Sequence, residues 1–226
     1  MNKKKVIAVI PALDEEKTIA KVIRGVKQYC DEVILIDDAS FDKTAFIAKQ
    51  EGAVVVTNCK NQGYDKSIDN GFKVAADRGA SVVLTFDADG QHNPKDIPAI
   101  IEPIISGKAD VVVGIRPFRS RITEHLFAFV AKRKLGVCDP LCGLKAYSIN
   151  VYKDIGYFDR ISSIGTELLF NAASAGYRIV QINIDLNRRK DIPRFGRAVK
   201  ANWKIFKAII KIIFYGGAKN GKNKIG

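Results

Sequence analysis

Three features of the chain predict an α/β fold, a mainly parallel sheet with helices on both faces. Short runs of β-branched and aromatic residues alternate with helix-length amphipathic segments, the order that crossover-connected parallel strands require. Polar residues recur where each run ends, and ligands of such sheets bind outside the carboxyl ends of the strands. No internal repeat, Pro-rich linker or low-complexity stretch divides the sequence before its Gly/Lys/Asn-rich end.

The first strand, Lys5 to Ile10, runs into Pro11-Ala12-Leu13-Asp14-Glu15 and a helical pattern from Glu16 to Tyr29. The second, Glu32 to Ile36, runs into Asp37-Asp38-Ala39-Ser40 and a helix over Asp42 to Glu51. The third, Ala53 to Val56, ends at Thr57-Asn58, followed by Asn61-Gln62-Gly63 and a helix over Asp65 to Arg78. The fourth, Ser81 to Phe86, is punctuated by Asp87-Ala88-Asp89-Gly90-Gln91-His92 and by Pro94, which opens a helix to Ser106. The fifth, Ala109 to Val113, ends at Gly114-Ile115-Arg116.

At 226 residues with 47% hydrophobic content, the chain can bury one sizeable core. We expect one α/β domain over residues 1–197, a basic amphipathic helix over 198–215 and a flexible tail over 216–226. Cys30, Cys59, Cys138 and Cys142 form no C-x-x-C pair, and His92 and His125 stand far from any of them in sequence, so reduced cytosolic thiols are expected rather than disulfides or zinc. The start, Met1 to Lys5, leads straight into a strand and shows no signal-peptide cleavage site.

The net charge of +13 is uneven: residues 1–106 carry 14 Lys/Arg against 16 Asp/Glu, and residues 107–226 carry 23 against 8. The basic half calls for an anionic partner: phosphate, an anionic lipid surface or nucleic acid. In the last helix, Ala198 to Tyr215, Lys200, Lys204, Lys207 and Lys211 form one stripe beside Trp203, Phe206, Ile209, Ile210, Ile213 and Phe214. The lysines argue against a membrane span and for a helix lying in the membrane interface, the alternative being a helix packed on the domain with its lysines solvated.

Residues two apart on an extended segment point the same way, so Asp87 and Asp89 can put two carboxylates on one side of a strand end. Hard oxygen ligands suit Mg²⁺ or Mn²⁺, completed by phosphate oxygens and water. The first strand lacks both G-x-G-x-x-G and a P-loop, and the acids Asp14, Glu15 and Glu16 would repel a phosphate placed there. Acids suit hydroxyl and base N–H donors better, which assigns Asp14, Glu15 and Asp38 to a nucleoside and Asp87 with Asp89 to a metal diphosphate. As single residues, Asp14, Glu15 and Asp38 also suit ordinary caps or turns.

Taken together, Pro-Ala-x-Asp-Glu, Asp-Asp-Ala-Ser, Asn-x-Gly and Asp-Ala-Asp-Gly-Gln-His, in that order after the first four strands, resemble the family 2 inverting glycosyltransferases with a glycosyltransferase A (nucleotide-diphospho-sugar transferase) fold. The particular resemblance, over most of residues 5–200, is to polyprenyl-phosphate sugar synthases of the dolichol-phosphate mannose synthase kind. It implies that residues 1–197 form the catalytic domain. Pro11, Ala12, Asp14, Glu15, Asp38 and Asn61 would line the nucleotide pocket, and Asp87, Asp89 and Gln91 would surround the cation. Gly114-Ile115-Arg116 is similar to the family's Gly-x-Arg, Asp139 to Gly143 to its acceptor-side Asp-Pro-x-x-Gly loop, and Arg194-Phe195-Gly196-Arg197 to the basic segment that closes over the diphosphate, with Lys200 nearby. Three departures stand out. Tyr64-Asp65 replaces the Lys-Gly that commonly follows Asn-x-Gly, Arg197-Ala198 replaces a Ser-Lys pair, and no long hydrophobic extension follows.

The expected chemistry is direct displacement at the anomeric carbon of a GDP- or UDP-sugar, with electrostatic stabilisation of the departing diphosphate as its main term. A polyprenyl phosphate acceptor is already anionic and needs no strong base. Arg116, Arg121 and Arg133 are candidates to hold it, although Arg121 and Arg133 equally suit a basic face docked on anionic lipid. A sugar hydroxyl on a glycan or glycolipid would need a base, for which Asp139 and Glu167 are candidates, Glu167 also fitting a first-turn helix acid. A sugar-nucleotide pyrophosphorylase would want a glycine-rich phosphate loop. A basic membrane or nucleic-acid adaptor would leave the acidic strand ends unexplained, and the basic half shows no nucleic-acid motif. The expected location is peripheral, on the cytoplasmic face of the membrane.

Overall fold

The computed structural model of the chain describes residues 3–119, 121–187, 202–203 and 205–210. In chain order the elements are β1 (Val6–Ala12), α1 (Ile19–Val26), β2 (Glu32–Asp37), α2 (Thr44–Gln50), β3 (Val54–Thr57), α3 (Tyr64–Asp77), β4 (Val82–Thr85), a 3₁₀ turn (Pro94–Asp96) leading into α4 (Ile97–Ile105), β5 (Val111–Ile115), α5 (Ile122–Leu135), β6 (Lys145–Ser148), α6 (Ile149–Ile155), α7 (Glu167–Ser174) and β7 (Ile179–Asn183). Residues 202–203 and 205–210 are helical.

One seven-stranded sheet runs in the order β3-β2-β1-β4-β6-β5-β7, the glycosyltransferase A arrangement. Only β6 is antiparallel to its neighbours, β4 and β5. The central strands are apolar on both faces because both are covered. Val6, Ala8 and Ile10 of β1 join the core beneath α1 and α4, while Ile7 and Val9 join the core beneath α3, α6 and α7. α3 lies so close to the sheet that a Cβ at Gly71 would come within 2.2 Å of a Val9 methyl.

The five expected strands are present, and β6 and β7 extend the sheet. Lys145–Ser148 reads as a strand only because β4 and β5 pair with it on both sides, Thr85 lying opposite Lys145 and Val112 opposite Ala146. The helical pattern expected from Glu16 begins instead at Ile19. Asp14 sits at φ 49°, in the left-handed region, and the backbone N–H groups of Asp14 and Glu15 are taken by side chains of the next loop. The three acids therefore lie in the connecting turn.

Candidate active site

Two loops at the carboxyl edge interlock. Asp14 N–H donates to Ser40 Oγ (2.9 Å), Asp14 Oδ1 accepts from Phe41 N–H (2.7 Å), and Glu15 N–H donates to Thr44 Oγ1 (2.6 Å). Pro11 and Ala12, at the end of β1, lie opposite Ile36 and Asp37 of β2. Asp38 is buried just beyond β2: Oδ1 accepts from Asn58 Nδ2 and Gln62 N–H, both at 2.8 Å, and Oδ2 from Gly63 N–H at 2.8 Å. This carboxylate thus shapes the loop entering α3. Asn61 is exposed in the same loop, while Asn58, to which the sequence reading gave no role, is the residue that contacts Asp38.

A third loop, after β4, is fastened to the first, since Thr18 Oγ1 donates to the Ala88 carbonyl at 2.8 Å. Asp89 Oδ1 accepts Gln91 N–H at 3.0 Å, and Asn187 N–H donates to the Gln91 carbonyl at 2.8 Å. His92 is buried and its Nε2 lies 3.1 Å from Asp87 Oδ2, with Nδ1 lacking a hydrogen-bond partner among the described residues. Burial alone would raise the Asp87 carboxyl, but the His92 contact and the charges of His92, Lys145 and Arg116 outweigh it and hold it below the usual carboxylate range. Asp87 rests on Gly143, where a Cβ would stand 2.0 Å from Oδ2.

Among the described residues no cluster of three or more His, Cys, Asp and Glu side chains forms a metal site by itself. Asp87, kept ionised, and Asp89 offer two carboxylates, with Gln91 in the same turn. That donor set fits a hard divalent ion that shares its shell with substrate phosphate, as Mg²⁺ and Mn²⁺ do.

Facing this acidic edge is a group of ion pairs. Arg116 grips Asp139 with Nε at 2.8 Å from Oδ2 and a terminal nitrogen at 2.9 Å from Oδ1, and its backbone N–H adds a third bond at 3.0 Å. Burial would lower the Arg116 guanidinium, but its pairing with Asp139 raises it further above the ordinary value. Glu124, buried on α5, lies 3.3 Å from Arg116 and 3.0 Å from Arg121. Arg119, which the sequence reading passed over, donates to the Cys138 carbonyl at 2.7 Å and stands 3.8 Å from Asp139. Arg133 lies two turns further along α5, its guanidinium 5.2 Å from the centre of the Phe129 ring. Glu167, almost fully buried at the start of α7, accepts the N–H groups of Arg160 (2.5 Å) and Ile161 (3.1 Å). Arg194 and Lys200 lie outside the described residues.

Beneath the two halves runs a buried layer that the motifs gave no means to find. Lys145 is buried on β6 and its ammonium donates to the Gly165 carbonyl at 3.1 Å. Asp159 accepts Ser163, Gly165 and Thr166 N–H groups and the Ser163 hydroxyl, fixing a loop in which Ser162, Ile164 and Gly165 all have positive φ. Asp65 faces the same loop, and burial, reinforced by the Asp159 charge, pushes its carboxyl up to about 7.

A doubly covered α/β sheet with a D-x-D turn at its carboxyl edge and a cluster of arginines facing that turn defines a nucleotide-sugar transferase. The sequence comparison places it: the profile of glycosyl transferase family 2 matches residues 7–128, and the chain belongs to that family. An uncharacterized protein of Methanocaldococcus jannaschii is 31% identical over 95% of both chains. The UDP-N-acetylglucosamine–dolichyl-phosphate N-acetylglucosaminyltransferase of Methanococcus voltae is 30% identical over 68% of this chain and 73% of its own. In fold, the chain resembles glucosyl-3-phosphoglycerate synthase of Mycobacterium tuberculosis, solved with Mn²⁺ and UDP-glucose, at a TM-score of 0.76 and 21% identity over 92% of this chain and 79% of that one.

Proposed function

We propose that the chain transfers a hexose, with inversion, from a GDP- or UDP-sugar to a polyprenyl phosphate at a membrane surface. The observation that carries the reading is the placement of Arg116, Arg119 and Arg121 at the start of α5, beside a lipid-compatible stripe. Phe118, Ile122, Leu126 and Phe129 are all exposed, and Ile122 is 88% exposed. The last three recur at intervals of four and three on α5, ending at Arg133, so a phosphate-binding group adjoins an apolar face.

The C-terminal helical residues extend that face. Ile205, Ala208 and Ile209 pack on Phe127, Ala131 and Phe170, and Thr123 Oγ1 donates to Asn202 Oδ1 at 2.9 Å, leaving Trp203, Phe206, Ile210 and Lys207 outward. Packing on the domain and presenting an apolar outer side are thus both features of this helix. Lys200, Lys204, Lys211, Ile213 and Phe214 lie outside the described residues. No helix among the described residues is long and apolar enough to cross a membrane. Exposed aromatics flanked by Lys132, Arg133 and Lys134 suit peripheral docking on anionic lipid.

On the donor side, Asp87, Asp89 and Gln91 would hold Mg²⁺ or Mn²⁺, which when bound supplies positive charge to the leaving diphosphate. Pro11, Ala12, Asp14, Glu15 and Asp38 surround the nucleoside, and Asn61, Arg194 and Lys200 remain proposed donor contacts. On the acceptor side, Arg116, Arg121 and Arg133 with Arg119 attract and orient the phosphate. Asp139 and Glu167, the two candidate bases, are already committed to Arg116 and to backbone N–H groups. That favours an acceptor which arrives ionised over a hydroxyl that needs a base.

The test is transfer of labelled sugar from a panel of GDP- and UDP-sugars to a short polyprenyl phosphate, with Mg²⁺ or Mn²⁺ and with Asp89→Ala as control. A metal-dependent lipid-linked product from the wild type, lowered about a thousandfold in the variant, is the expected result. Phosphoglyceric acid, found bound in a structural neighbour, and simple glycosides are run in parallel. Transfer only to these would replace the lipid acceptor while keeping the donor site.

A further inference from the structure

Lys145 stands where the two halves of the site meet, and the chemistry proposed above gives it no part. It is 3% exposed on the antiparallel strand between β4 and β5, directly opposite Thr85. Thr85 Oγ1 donates to the Gly143 carbonyl (2.7 Å), fixing the turn on which Asp87 rests. The Lys145 ammonium is thereby set beneath the cation carboxylate, close enough that each influences the other's ionisation. Its hydrogen bond runs the opposite way, to the carbonyl of Gly165 in the loop that joins Asp159 to Glu167.

Burying an ammonium costs several kcal/mol after relaxation, and an apolar residue of similar volume is often neutral or stabilising in its place. One carbonyl is a poor return for that cost. The loop it reaches is itself held in a conformation that ordinary side chains avoid. Ile164, β-branched, has φ 61°, and a Cβ at Gly165 would lie 3.0 Å from the Tyr64 ring. A single carbonyl contact can tip such a loop between order and disorder.

We propose that Lys145 is a positioning residue that transmits occupancy of the cation site at Asp87 to the 159–167 loop. With Asp87 ionised and unliganded, the carboxylate and the Gly165 carbonyl compete for the same ammonium. A divalent ion at Asp87 neutralises the carboxylate, so the ammonium bonds more fully to Gly165 and the loop tightens. Loading of the donor side thus orders the loop that carries Asp159, Arg160 and Glu167. The inference rests on the proposed role of Asp87 in holding the cation.

The test is amide hydrogen exchange across 159–167, with and without Mn²⁺ plus UDP and, in parallel, Mn²⁺ plus GDP, in the wild type and in Lys145→Met and Lys145→Gln. Calorimetry on the same samples reports nucleotide binding. In the wild type, Mn²⁺ and nucleotide should slow exchange at Ser163 to Thr166 about tenfold. Lys145→Met should bind Mn²⁺ and nucleotide within about threefold of wild type and unfold at the same or a higher temperature, yet lose the slowing. Lys145→Gln, which can donate to Gly165 but carries no charge, should show slow exchange whether or not Mn²⁺ is present. An equal metal response in Lys145→Met, or none in the wild type despite binding, overturns the inference and leaves the donor site intact. Absence of metal-dependent nucleotide binding in the wild type overturns both.

Discussion

Around Asp14, Asp38 and Asp89 the carboxylates accept backbone N–H groups of neighbouring turns, whereas around Arg116, Arg121 and Asp139 they are paired with guanidinium groups. The first arrangement sets loop shape and leaves a negatively charged edge suited to N–H and O–H donors and a cation. The second offsets Asp139 and Glu124 with Arg116, Arg119 and Arg121 and leaves net positive charge beside an apolar stripe. The difference separates two binding tasks: one edge holds a nucleotide through a metal, the other attracts an anion without one. β6 joins them, since its preceding Gly143 supports Asp87 and its Lys145 reaches the loop on the other side.

The sharpest way to disturb one half alone is Gly143→Ala. The added Cβ meets the Asp87 carboxylate at 2.0 Å, so the carboxylate must leave its place. Binding of Mn²⁺ with nucleotide, followed by calorimetry, should weaken by more than about tenfold, or about 1.4 kcal/mol, with polyprenyl phosphate affinity unchanged. An unaltered nucleotide affinity would detach Asp87 from the donor half.

The converse disturbance is Ile122→Glu with Phe129→Glu on the exposed face of α5. Co-sedimentation with phosphatidylserine-containing vesicles should fall about tenfold, while nucleotide binding stays as in the wild type. Undiminished sedimentation would take α5 out of the docking face.

The smallest expected effect concerns Asp65, between the halves. Its carboxyl is pushed up to about 7, so the folded chain holds that proton more tightly than the unfolded chain does. Stability therefore falls as pH rises from about 4 to about 7 and is level above that. In urea unfolding at pH 5 and pH 8, Asp65→Asn should lose less stability across the interval than the wild type, by about 1 kcal/mol. Equal losses would show that Asp65 is not what makes the buried layer sensitive to pH.

The donor half was legible in the sequence because its ingredients are local. Asp14, Asp38, Asp87 and Asp89 each follow directly on an apolar run, and a parallel sheet brings such ends to one edge. The five parallel strands announced themselves by being buried on both faces. Lys145 to Ser148 did not, since Lys-Ala-Tyr-Ser carries no apolar run and its strand character comes from β4 and β5 on either side. Lys145 was invisible for the same reason: a lysine after a Gly-Leu pair reads as surface until Thr85 is found opposite it. Arg119 was hidden among neighbouring arginines. His92 stood in the quoted motif, but its burial against Phe86 and its contact with Asp87 are three-dimensional facts.

The division between a metal-dependent edge and a metal-independent one is tested most directly by calorimetry on Asp89→Ala, titrated with Mn²⁺ plus UDP or GDP and separately with a short polyprenyl phosphate in detergent. The account predicts that the variant loses metal-dependent nucleotide binding and keeps wild-type affinity for the polyprenyl phosphate, with and without a chelator. Loss of both affinities in a folded variant, or acceptor binding abolished by the chelator in the wild type, would contradict it.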